Sequence, residues 1–109
     1  MRLTKKQKFK STIRWLRKEF SNGRPRVHVR MFDSKKNEGE CRFYPGKGLF
    51  VIFIKNGMCL GLSIDAVIHE WAHVLSWKTM LREEHPREWG IAYAKIYRAW
   101  LVWNYGRKE

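Results

Sequence analysis

With 109 residues, 44 % of them apolar, and six Trp, six Phe and four Tyr, the chain is large enough for one domain with a core of its own, and its composition excludes an intrinsically disordered polypeptide. Two cysteines, Cys41 and Cys59, are too few and too far apart for a disulfide scaffold or a paired-cysteine zinc knuckle, and no apolar run has the length of a secretory signal or a membrane span, so a soluble protein of a reducing, cytosolic compartment is expected. The net charge of +13 is uneven: residues 1 to 30 hold 11 of the 23 Lys and Arg against one acid, Glu19, and such a block attracts polyanions by releasing counterions, nucleic acid being the commonest. The plainer alternative is a solvated face that keeps a small protein soluble.

From Thr4, a possible N-cap, to Phe20, the residues Phe9, Ile13, Leu16 and Phe20 recur at helical spacing, and Asn22-Gly23 follows as a stop signal. The spacing predicts an amphipathic helix whose opposite side carries Lys6, Lys10, Arg14, Arg17 and Lys18, the residues expected to meet phosphate. In RPRVHVRMF, Val27, Val29 and Met31 alternate with Arg26, His28 and Arg30, the period of a half-buried strand with His28 on its charged face. Residues 33 to 40 read as a polar loop, Cys41 to Tyr44 as a short strand, and residues 48 to 54, GLFVIFI, as the strongest strand in the chain. The Asn56-Gly57 turn signal predicts a hairpin partner over Met58 to Leu62. These elements, followed by helices, predict an α+β domain with a small, mostly antiparallel sheet.

Ser63 is the expected cap of the next helix, with Asp65 in its first turn. Ile64, Ile68, Trp71 and Leu75 form its apolar stripe. At about 100° per residue, His69 and His73 fall together on the far side, about 6 Å apart along the axis, with Glu70 beside them. His69-Glu70-Trp71-Ala72-His73 is thus an HExxH pattern: two imidazoles one turn apart hold Zn2+, and the carboxylate serves as general base to water. A catalytic zinc site usually takes a third protein ligand. Glu83, Glu84, His85 and Glu88 are the candidates, and His85 stands out because Pro86 after it suits the first turn of a following helix and holds His85 extended. That final helix, Pro86 to about Tyr105, has Trp89, Ala92, Ile96, Trp100 and Trp103 as its apolar positions and backs the active-site helix. On it Tyr93 and Tyr97, one turn apart, are candidates for oxyanion stabilisation or for core packing. Trp77 reads as packing, and residues 104 to 109 as a frayed end.

His69-Glu70-Trp71-Ala72-His73, then Trp77, then His85-Pro86-Arg87-Glu88-Trp89 resembles the SprT/Spartan-like zinc metallopeptidases, which have an active-site helix, a loop, and a third His opening the next helix close to an aromatic. The chain departs from that pattern in having Pro86 where the family usually has Gly, and it has too few cysteines for the zinc ribbon that many members carry. The resemblance implies a single zincin-like domain over residues 1 to 109, with zinc on His69, His73 and His85 and Glu70 as the catalytic acid/base. It also implies an intracellular protease, in the best-known branch one that cuts proteins crosslinked to DNA. Two functions follow as expectations. One is a zinc endopeptidase acting on protein or peptide substrates, with nucleic acid as a further partner and the strand Leu49 to Ile54 pairing with extended substrate. The other is a nucleic-acid-binding protein whose zinc is structural or vestigial; Glu70 speaks for the first, because a structural site would have four protein ligands and no use for that carboxylate.

Overall fold

The first helix, α1 (Lys5–Phe20), opens with a reciprocal cap: the Gln7 N–H donates to Thr4 Oγ1 at 3.1 Å and the Thr4 N–H donates to Gln7 Oε1 at 2.8 Å, so two N–H groups that a helix start leaves orphaned are satisfied. Ile13 and Leu16 are buried on its apolar stripe, with Phe9 and Phe20 packed at the margin. The computed structural model describes residues 3–21, 26–77 and 87–106; the Asn22-Gly23 stop signal lies outside them.

Strand β1 (Arg26–Phe32) is followed by β2 (Gly39–Tyr44), a single 3-10 turn at Pro45–Lys47, β3 (Leu49–Lys55), helix α2 (Leu60–Leu75) and helix α3 (Arg87–Gly106). The three strands form one sheet in the order β1-β3-β2, with β1 parallel and β2 antiparallel to β3. The α+β class is as expected, but the sheet is mixed, not mostly antiparallel. β1 and β2 take opposite edges of β3, and the loop between them passes the end of β3, where Lys55 N–H donates to the Glu38 carbonyl and Asn56 N–H to that of Phe32. Gly48, at φ 56° in the left-handed region, turns the chain from β2 into β3.

That order also explains why Met58 to Leu62 is not a strand. β3 has no free edge to offer, and Gly57, at φ 84°, turns the chain into α2. The helix begins at Leu60 with Cys59 as its cap residue, so Ser63 is an interior position and Asp65 lies beyond the first turn. Every residue of α2 from Ser63 to His73 is buried or half-buried, because the sheet covers one side while α1 and α3 cover others. Trp71 lies at the centre, fully buried, and its indole N–H donates to the Phe20 carbonyl at 3.3 Å, closing the C-terminal end of α1. α3 continues through Asn104 to Gly106, so the helix persists where fraying was expected. No helix among the described residues is long and apolar enough to cross a membrane.

Leu16 joins α1 to this core with no exposed surface, and deleting its branched methyls leaves a cavity that surrounding residues fill only in part. Leu16→Ala should cost about 2–5 kcal/mol in denaturant unfolding; a loss below about 0.5 kcal/mol would mean that α1 is not integral to the core.

Candidate metal centre

The central helix presents its polar residues along one strip. His69 and His73, one turn apart, direct their Nε2 atoms at a common point, 3.3 Å from each other, and Glu70 Oε2 lies 3.7 Å from His69 Nε2. All three residues offer a ligand atom within a span of 4.8 Å. Two imidazole nitrogens bound tetrahedrally at about 2.0–2.1 Å would stand roughly 3.3–3.4 Å apart, so the pair has the separation a zinc ion requires. A neutral imidazole suits that ion in softness and charge.

The surroundings are made by three elements. Opposite the strip, residues 36–38 and the start of β2, Gly39 to Cys41, form the far wall of a cleft of about 500 Å³, which Asp65, Trp77 and the three α2 residues complete. From α3, Trp89 lies against both histidines: its ring stacks on His73 at 5.5 Å, meets His69 edge-on at 4.9 Å, and its N–H donates to the His69 carbonyl at 3.2 Å. Glu70 and His73 are only 7 % and 5 % exposed, so the polar strip lies in a medium of low dielectric where charge interactions are strong. Burial above all, with the charges of Glu70 and Glu40, pushes the Cys41 thiol up to about 12.

The other expected site residues are distributed as follows. His85, with Glu83, Glu84 and Pro86, lies outside the described residues, and Glu88 is an exposed residue of the first turn of α3. The Tyr93 hydroxyl donates to Asp65 Oδ1, and its acidity is weakened by burial and by that bond; its ring stacks on Trp89 at 5.2 Å. Tyr97 meets Tyr93 and Trp100 edge-on. Trp77 packs on Phe50 and Phe43, as expected, and also lines the cleft. On α1, Lys6, Lys10, Arg14, Arg17 and Lys18 are all exposed, and Arg17 also directs Nε and Nη2 to the Val27 carbonyl at 3.2 and 3.1 Å and so ties the helix to β1. His28, on the charged face of β1, is half-buried.

Gly39 is a site residue that the sequence does not signal, since a glycine within DSKKNEGE reads as loop chemistry. A Cβ there would lie 3.1 Å from Glu70 Cγ, 3.2 Å from its Oε2 and 3.4 Å from the Phe53 carbonyl. The bare backbone of β2 therefore lets the carboxylate lie flat against the strand. Gly39→Ala should destabilise the protein by about 1–3 kcal/mol through this overpacking, and the cost should vanish in a Glu70→Ala background if the collision is its source; equal costs in both backgrounds would assign it to the strand alone.

Exposure divides the two thiols as well: Cys59 is exposed, while Cys41 is half-buried and held protonated. Alkylation of the folded protein near pH 8 should label Cys59 and spare Cys41, read by peptide mass; equal labelling would show the cleft wall to be open. A scan against models of known protein families and a search of curated proteins gave no match to this chain.

Proposed function

We propose that the protein is a zinc-dependent endopeptidase, acting on proteins associated with nucleic acid. The observation that carries the reading is the convergence of His69 Nε2, His73 Nε2 and the Glu70 carboxylate on one wall of a cleft large enough for a peptide segment. In this reading His69, His73 and His85 hold the ion, as in the SprT/Spartan-like enzymes the motif resembles. Zinc bound there supplies Lewis acidity, polarising the scissile carbonyl and making water more acidic.

The chain's own groups do the rest. Glu70 takes the proton of the attacking water and returns it to the leaving amine, a role that needs a carboxylate beside the ion yet not bound to it. Its burial and its close fit against Gly39 hold it in one orientation before substrate arrives. Trp89 holds the imidazole pair from behind through its stack on His73 and its bond to the His69 carbonyl, the kind of outer support that orients ligands.

Substrate enters beside β2. The strand Leu49 to Ile54, expected to pair with an extended peptide, is interior, both its edges being occupied by β1 and β2. Of the two edge strands, β2 is the one whose first residues line the cleft, so a peptide added along its outer edge would pass the histidines. The exposed cations of α1 would recruit the enzyme to nucleic acid. A reducing, cytosolic setting goes with this reading and with two cysteines that are both free.

Metal content and digestion of casein or histones separate this reading from a nucleic-acid-binding protein with a structural zinc. His69→Ala and His73→Ala should lose stoichiometric zinc and, because ligation is linked to folding, melt at lower temperature. Glu70→Gln should keep the zinc and lose hydrolysis by a factor on the order of a hundred or more. Zinc without any wild-type hydrolysis would favour the structural site, and wild-type protein without zinc would end the proposal.

A further inference from the structure

The core accounts for one face of the sheet. Val27, Phe50, Ile52 and Ile54 belong to it, with Cys41 and Phe43 packed alongside, and the helices add Leu16, Ile68 and Ile96 to the same cluster. The alternate positions make up the other face. Arg30 stands beside Phe53, which stands beside Glu40, and one step away Val51 lies between His28 and Arg42.

These side chains also touch one another. The Arg42 guanidinium lies 4.9 Å above the Phe53 ring and pairs with Glu40 at 2.8 Å, and the Phe32 ring lies 5.7 Å from that of Phe53. Val51 is buried yet stands outside the core cluster. Among the described residues, the main packing between sheet and helices all runs through α2, which lies on the core side. The second face thus has no covering layer there.

Its chemistry is uneven in a way that suggests an occupant. Arg26, Arg30, Arg42 and Lys55 face one acid, Glu40, and the rings of Phe32, Phe53 and Tyr44 lie among them, Tyr44 being 39 % exposed on the edge strand. A patch of scattered cations attracts any polyanion, but planar rings interleaved with guanidinium groups match bases interleaved with phosphates.

We propose that this outer sheet face binds single-stranded nucleic acid, with Tyr44 stacking on a base and Arg30 and Arg42 meeting phosphates. A duplex hides the faces of its bases, so the rings would add nothing to its binding. An anionic membrane would meet the same cations, but the rings here are set among charges and do not project as an apolar patch. The inference shares the nucleic-acid partner of the proposed function but not its zinc site, and it uses a different surface from the cations of α1.

The experiment is fluorescence anisotropy of the full chain with a labelled 20-nucleotide oligo-dT and a 20-base-pair duplex at two salt concentrations, with melting curves on each variant. The wild type should bind the single strand more tightly. Arg30→Glu with Arg42→Glu should weaken oligo-dT binding at least tenfold and flatten the salt slope by about 0.7 for each phosphate that is no longer neutralised. Tyr44→Ala, an exposed position that spares the fold, should weaken it about tenfold with little change in slope, and Tyr44→Phe, which keeps the ring, should retain binding. Folded sheet variants that bind like wild type would overturn the inference. So would a preference for the duplex, for phosphatidylserine vesicles over the oligonucleotide, or complete loss of binding on reversing Lys10, Arg14 and Lys18 of α1 alone. Zinc content and protease activity are read separately, so failure of the peptidase reading leaves this result standing and the reverse also holds.

Discussion

Trp71 sets the rotation of α2 about its own axis. Its indole is fully enclosed and its N–H is bound to the end of α1, so the helix cannot roll without breaking a hydrogen bond and opening a void the size of an indole. With about 100° between successive residues, that one orientation leaves His69, Glu70 and His73 on the strip that faces the cleft. Ile64 and Ile68 reinforce the setting from the core. The site is therefore an outcome of hydrophobic packing on the opposite side of the same helix.

The same packing encloses the polar strip. α2 is enclosed so thoroughly that a carboxylate and an imidazole end up almost without solvent, where isolated charge is strongly disfavoured. Two imidazole nitrogens and a carboxylate oxygen brought together in that medium form a group that could hold a metal ion. Trp89, stacked on Tyr93 and bonded to the His69 carbonyl, backs the histidines on one side, and β2 lines the cleft on the other. Gly39 then matters out of proportion to its size: it decides how near the edge strand comes to the carboxylate.

Local patterns read well wherever the determinant was itself local. The cap at Thr4, the α1 stripe, the apolar strip of α2 and the pairing of His69 with His73 all follow from spacings of three or four residues, and all are present. What eluded the sequence depends on packing between distant segments. Asn56-Gly57 is a turn in either case, and whether a strand or a helix follows is decided by β1 and β2 already occupying both sides of β3. With no free edge for Met58 to Leu62, tertiary packing drew Leu60-Gly61-Leu62 into α2 despite a glycine in its first turn. The approach of Gly39 to Glu70 joins positions 31 residues apart, and nothing in either neighbourhood foretells it. Arg17 shows the same limit on the surface: its place in the helical pattern marks it as an exposed cation but does not foretell its hydrogen bonds to the carbonyl of Val27.

The apolar run of β3 points to one further consequence. A strand that is apolar at nearly every position is usual where both faces of a sheet are covered, yet among the described residues the main helix packing lies on one face. Val51 on the other face stands between His28 and Arg42, and Phe53 is screened by the Arg42 guanidinium laid over its ring, since a long cationic stem supplies apolar cover while its head stays in water. A sheet face without a helical layer can be stabilised in this way. The solution places cations and rings side by side on a sheet, so a surface that arises from the need to shield β3 also has the composition of one that recognises a polyanion with exposed bases.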